Sequence, residues 1–164
     1  MYLIALGLGL CVSYAGLVSV LPWLLEGRPL RLPRVAARSL IVIVFAAFAA
    51  FFVSFQIGDE QWANRFLHVF GGGFVGFLVC VLAARDSGLG IGRTRFFVAA
   101  ALMVTCMGVA NELVEFFLDT YTSLLFSASR IDTWLDLASN AIGVCIAAPF
   151  FLPLAPRRRE DAPA

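Results

Sequence analysis

Five long apolar stretches dominate the hydrophobic pattern of this chain, and short polar segments separate them. The stretches are continuous rather than alternating, which predicts helices and disfavours the roughly ten-residue alternating strands of a membrane β-barrel. Each has about 20 residues, the length that an α-helix needs to cross a bilayer. We therefore predict an all-α membrane protein, a bundle of five transmembrane helices. The predicted spans are 2–25, 39–57, 63–84, 96–118 and 133–153.

Composition indicates the same class of protein. The 164 residues are 61% hydrophobic, with a mean hydropathy of +0.91, which is far too apolar for a soluble domain of this size. Because the connections are short, residues 1–156 are predicted to form a single transmembrane bundle, followed by a disordered cytoplasmic tail at 157–164. The first run lacks a basic segment before it, so we expect a retained span rather than a secretion signal.

The distribution of arginine predicts how the helices are oriented. Ten of the twelve arginines follow the first, third or fifth run, whereas only Arg65 and Arg130 lie at the opposite ends. Arginine is enriched on the cytoplasmic side of membrane proteins, so the N-terminus is predicted outside and the C-terminus in the cytoplasm. The net charge of +1 gives no reason to expect nucleic acid as a partner.

Polar side chains form stripes at the predicted outer ends of three spans. Spacings of three or four residues place them on one face of each helix. The third span has Arg65 and His68, with Gly72 and Gly76 below them; the fourth has Asn111, Glu112, Glu115 and Asp119; the fifth has Asp132, Asp136 and Asn140. A charge at the bilayer centre costs roughly 2.5–3.5 kcal/mol, so these groups must converge on one another or on a water-filled cleft.

The polar residues suggest two kinds of role. His68, Glu112, Glu115 and Asp136 are the candidate catalytic or metal-binding residues, and Arg65, Arg130, Asp132 and Asn140 are the candidate ligand-binding residues. Two acids three positions apart repel unless one is protonated or a cation lies between them. One histidine with several carboxylates suits a divalent cation such as Mg²⁺ or Ca²⁺ better than zinc. Structural alternatives remain open: interhelical pairing for the glutamates and His68, a helix cap for Asp132, and a tie between helices for Asn140.

Three segments resemble VanZ-like integral membrane proteins and the related YjdF-type membrane proteins: "NRFLHVFGGGFVGFL", "NELVEFF" and "RIDTWLDLASNAIG". The resemblance covers about residues 62–146. The residues that fit the pattern are His68, Glu112, Arg130, Asp132, Asp136, Asn140 and Gly143. The chain departs from it at Asn64-Arg65, where Asp-Lys is usual, and at Glu115, where glutamine is common. The resemblance implies a cell-envelope protein of the bacterial cytoplasmic (inner) membrane, in a family linked to glycopeptide (teicoplanin) resistance.

Three functions are compatible with these features. The first is an envelope protein whose outer-leaflet polar cleft binds or modifies an amphiphile, such as a lipid headgroup, a wall precursor or a lipophilic antibiotic. The second is a non-catalytic membrane subunit or assembly factor, with the almost wholly apolar second span facing membrane lipid or another membrane protein. The third is a small ion-coupled transporter. The sequence has no GxSxG nucleophile motif, and whether it is an enzyme stays open.

The orientation can be tested by cysteine labelling in intact cells after removal of the native cysteines. A membrane-impermeant reagent should label a cysteine at Ser127, in the predicted outer loop, but not at Ser87, in a predicted cytoplasmic loop. The reverse pattern would contradict the orientation drawn from the arginines.

Overall fold

The computed structural model describes residues 2–31, 35–121 and 130–155. Every regular element in these ranges is helical, and five helices are long and apolar enough to cross a membrane. The predicted all-α class with five spanning helices is confirmed. The orientation of the termini stays a prediction.

The observed helices begin and end within three residues of the predicted spans. The third span is composite, because a π-helical segment interrupts its α-helix. The elements are α1 (Tyr2–Glu26), α2 (Ala37–Phe55), α3 (Glu60–Phe66), the π segment (Leu67–Phe74), α4 (Val75–Asp86), α5 (Arg93–Tyr121), α6 (Arg130–Phe151) and a 3₁₀ turn (Leu152–Leu154).

The composite third span forms the centre of the protein. In its most apolar window, 61% of the residues are buried, against 22–33% for the other four spans. The other helices therefore surround it and keep apolar surface for lipid. The clearest example is α2, where Phe45, Phe48 and Phe52 are exposed, as expected for a helix with a lipid-facing side.

Glycine allows the π segment and α6 to meet backbone to backbone. A Cβ atom on Gly143 would overlap the Val69 carbonyl oxygen, and one on Gly73 would overlap the Asn140 carbonyl oxygen. Small residues permit this close approach of membrane helices. The predicted glycine face also points into the bundle, since Gly72 contacts α6 and Gly76 packs against α5.

A hydrogen-bond network joins α1, α2 and α4 at the end predicted to be cytoplasmic. The Tyr14 hydroxyl donates to Asp86 Oδ2 at 2.6 Å, and the Ser39 hydroxyl donates to the same oxygen at 2.5 Å. The Ala36 backbone N–H in turn donates to the Tyr14 oxygen at 3.0 Å. Two hydroxyl donors thus satisfy one carboxylate. No motif in the sequence points to these residues.

Some predicted features lie outside the described residues. They are the tail at 157–164 and the labelling position Ser127. The backbones of Asp119 and Arg130 belong to α5 and α6, but their side chains also lie outside the described part of the chain.

The contact between the π segment and α6 can be tested with Gly143→Ala. The added methyl group must push the two backbones apart, and overpacking of this kind costs about 1–3 kcal/mol. We expect a lower melting temperature for the detergent-purified variant. Gly9→Ala is the matched control: its Cβ would meet no atom within 4 Å, and alanine in a helix is favoured over glycine by about 0.5–1 kcal/mol. Equal melting temperatures for the two variants would contradict the close contact.

Candidate functional site

Polar side chains from the third span, α5 and α6 meet at one end of the bundle, the end predicted to face outside. The structure brings together all four candidate catalytic or metal-binding residues. His68, Glu112 and Glu115 are each 8% exposed, and Asp136 is 2% exposed. We refer to these residues with Asn64, Arg65, Asn111 and Asp132 as the polar cluster.

One half of the polar cluster is a clamp between α3 and α6. The Arg65 guanidinium forms salt bridges with both Asp132 and Asp136, and its Nη1 also donates to the Asp132 carbonyl oxygen at 3.3 Å. The Asn64 amide donates to Asp136 Oδ1 at 3.2 Å. A buried ion pair with additional hydrogen bonds fixes the two helices in one register. Sliding one helix along the other would separate the pair and leave a buried charge without its partner, which is strongly destabilising.

The clamp changes the interpretation of two predicted ligand-binding residues. The Arg65 guanidinium already pairs with two carboxylates of the chain itself. Arg65 was a candidate ligand-binding residue because a guanidinium pairs well with phosphate or carboxylate, and Asp132 and Asp136 take that place here. Asp132 lies in the first turn of α6 as expected, but its carboxylate pairs with Arg65. The sequence suggested only that Asn64 replaces an aspartate of the VanZ-like pattern, and its bond to Asp136 was missed.

The other half of the polar cluster consists of His68, Glu112 and Glu115, which we call the His–Glu–Glu group. One potential ligand atom from each lies within 4.8 Å of the other two. The two glutamates are three residues apart on α5 and therefore share a face. His68 is supplied by the π segment, a helix geometry that often occurs at functional sites.

Neighbouring side chains orient the His–Glu–Glu group. The Asn111 amide donates to Glu115 Oε1 at 2.7 Å, and the Thr133 side chain lies near Glu112. His68 Nε2 lies 3.5 Å from Asp136 Oδ1 and so connects the group to the clamp. Glu112 Oε1 is buried and has no hydrogen-bond partner within the described structure.

The polar cluster is rich in carboxylates. Among the described side chains, Asp132 and Asp136 pair with Arg65, and Glu112 and Glu115 lie beside them. Carboxylates this close together cannot all stay ionised in a buried setting unless protons or positive groups compensate them. A cluster of this kind is a candidate binding site for a positive group.

Asn140 lies below the polar cluster, where the third span, α5 and α6 come closest. A Cβ atom on Gly72 would overlap Asn140 Oδ1, and one on Gly108 would lie 2.8 Å from Nδ2. Asn140 Oδ1 has no hydrogen-bond partner among the described residues. The packing favours the structural alternative, a tie between helices, and ligand binding by Asn140 stays a prediction.

Comparison with known proteins gives a family but no characterised relative. A family model described as "Predicted membrane protein (DUF2238)" matches residues 9–156, a range that includes the whole polar cluster. No curated protein and no solved structure matches the chain.

The crowding of carboxylates predicts opposite effects for two neutralising substitutions in metal-free buffer. Glu112→Gln keeps the shape of the side chain but removes one of two neighbouring negative charges, so the purified variant should melt at or above the wild-type temperature. Asp136→Asn removes a carboxylate that Arg65 needs. It should destabilise by about 3 kcal/mol, the lower end for a broken buried pair, because Asp132 still holds Arg65.

Glu60→Gln provides the control for this comparison, since Glu60 lies at the same end of the bundle and is exposed to solvent. Its melting temperature should stay close to that of the wild type, because only a weak interaction with the N-terminus of α3 is lost. A melting temperature for Glu112→Gln well below that of Glu60→Gln would mean that Glu112 is a structural partner, and the interpretation from carboxylate repulsion would be wrong.

Proposed function

The chain belongs to the DUF2238 family of predicted membrane proteins, and we propose that it binds the polar head of an amphiphile at the polar cluster. The amphiphile is a membrane lipid, a lipid-linked wall precursor or a lipophilic antibiotic. All three share one chemistry: the head brings positive charge to the buried carboxylates, as an amine or as a cation carried by its phosphate.

The observation that carries the proposal is the buried carboxylate of Glu112, whose Oε1 atom has no hydrogen-bond partner among the described residues. The hydrogen-bond network at the other end of the bundle serves as a comparison, because two neutral hydroxyls satisfy its single acid, Asp86. A network that only holds helices together gains nothing from a buried acceptor that it leaves unsatisfied, because such an acceptor destabilises the protein. Buried charged residues that lower the stability of the fold are typical of binding and catalytic sites.

The position of the polar cluster also supports headgroup binding. Three exposed aromatic residues flank this end of the bundle: Trp62, Tyr121 and Trp134, with exposures of 70%, 77% and 72%. Tryptophan and tyrosine are enriched where the membrane meets water, at the level of the headgroups. A head at that depth can reach the cluster while its acyl chains stay in the lipid.

The resemblance to VanZ-like proteins leads to the remaining parts of the proposal. It favours the cytoplasmic membrane of a bacterium and an amphiphile of the cell envelope. His68 beside Asp136 is an imidazole next to a carboxylate, a pair that suits general acid–base chemistry. Binding is the proposed function, and modification of the bound head would be a further step at the same residues.

Native mass spectrometry of the purified protein can test headgroup binding. In buffer containing EDTA, the wild type should retain phosphatidylethanolamine, whose head carries an ammonium group, in preference to phosphatidylglycerol. A charge-assisted hydrogen bond contributes roughly 1.5–3 kcal/mol, so the preference should fall about tenfold or more in Glu112→Gln/Glu115→Gln. The Glu60→Gln variant should behave as the wild type.

Competition then identifies the source of the head. A lipid-linked wall precursor or a lipoglycopeptide antibiotic that displaces the retained lipid at lower concentration would be the better ligand. The proposal is wrong if the wild type shows no headgroup preference, or if the double variant keeps the same preference as the wild type.

A further inference from the structure

We propose that the His–Glu–Glu group is a binding site for one divalent metal ion of the Mg²⁺ and Mn²⁺ class. Each of the three side chains offers a ligand atom, and these atoms lie within 4.8 Å of one another. All three side chains are 8% exposed. A single small ion at the centre of the group can therefore contact all three, and its surroundings are largely dry.

The carboxylate of Glu112 provides a second observation that points to a ligand. Its Oε1 atom is buried without a hydrogen-bond partner among the described residues. Buried acceptors are almost always satisfied, and an unsatisfied one requires an explanation. A cation in the His–Glu–Glu group supplies the missing partner and also screens the repulsion between Glu112 and Glu115.

The residues around the group resemble the outer shell of known metal sites. A metal-binding histidine usually has its other ring nitrogen next to a carboxylate, which fixes the ring. His68 Nε2 lies 3.5 Å from Asp136 Oδ1, and we therefore assign Nδ1 as the metal ligand. Asn64 and Arg65 hold Asp136 in place, and Asn111 orients Glu115 through its 2.7 Å hydrogen bond.

The donor set favours Mg²⁺ or Mn²⁺ over the other common ions. Two carboxylates neutralise a divalent charge, and hard oxygen ligands with one imidazole suit these ions. Calcium takes six to eight oxygen ligands, so a nitrogen donor such as His68 suits it less well. Three protein ligands leave positions open for water or for the oxygen atoms of a bound molecule.

The metal site goes beyond headgroup binding, since it can exist without any amphiphile. The competing explanation is a proton shared between Glu112 and Glu115, which would satisfy the same atoms without metal. Measuring the metal alone, on lipid-depleted protein in detergent, distinguishes the two.

Manganese is the probe, because its electron paramagnetic resonance signal reports free and bound ion directly. After EDTA treatment, the wild type should bind one Mn²⁺ per chain, and Mg²⁺ should compete for it. The variants Glu112→Gln, Glu115→Gln and His68→Gln should each lose at least about tenfold in affinity, since even outer-shell changes cost that much at metal sites. Glu60→Gln, an exposed acid at the same end, should bind as the wild type.

Thermal unfolding gives a readout that a purely structural role would not produce. Added Mn²⁺ should raise the melting temperature of the wild type and of Glu60→Gln, because a ligand of the folded state stabilises it. The melting temperature of Glu112→Gln should not respond, although in EDTA it equals or exceeds that of the wild type. If Glu112→Gln cannot be purified, Glu115→Gln serves in its place.

Two results would overturn the metal site: no saturable Mn²⁺ binding by the wild type, or equal affinities for the wild type and Glu112→Gln. Either would leave the shared proton as the explanation. The outcome is separate from that of headgroup binding. Lipid preference without Mn²⁺ binding removes only the metal site, and Mn²⁺ binding without lipid preference removes only the headgroup proposal.

Discussion

The arrangement of the polar cluster depends on one steric constraint, the contact between the backbones of the π segment and α6. Gly73 and Gly143 leave no room for a Cβ atom on either side. This contact sets the height of α6 against the third span, and with it the position of Asp132 and Asp136 opposite Arg65. Ion pairing needs that register within a few tenths of an ångström, whereas apolar packing tolerates more variation. The glycines thus determine where the charges meet, and the charges hold the helices in that register.

Buried carboxylates have different kinds of partner at the two ends of the bundle. At the end with Tyr14, neutral hydroxyl groups satisfy one carboxylate, and the network is complete. At the other end, the Arg65 clamp accounts for Asp132 and Asp136, while the His–Glu–Glu group adds two further acids. Structural needs explain the first network and the clamp. They do not explain the buried Oε1 atom of Glu112, which has no hydrogen-bond partner among the described residues, so the His–Glu–Glu group, rather than Arg65, is the proposed binding site.

Much of the fold could be predicted from the sequence, because the length and continuity of apolar runs reflect the thickness of the bilayer. The convergence of the polar stripes also followed from the cost of charge in lipid. The division of the cluster into a clamp and a His–Glu–Glu group could not be predicted. Helix periodicity indicates which residues share a face of one helix, but it does not indicate which residues of another helix that face contacts. The π segment was missed for a related reason: a helical wheel assumes 3.6 residues per turn, and this segment departs from that geometry.

The Arg65 clamp joins residues that are made at very different times during synthesis. Arg65 is separated from Asp132 by 67 positions and from Asp136 by 71, so the third span leaves the ribosome long before its acidic partners exist. Chains are made from the N-terminus onward, and Arg65 must therefore enter the membrane region as an unpaired cation. It is neutralised only when α6, the last spanning helix, has inserted. A chain that stops before α6 lacks both acidic partners of Arg65, so its central helix is more polar than that of a complete chain.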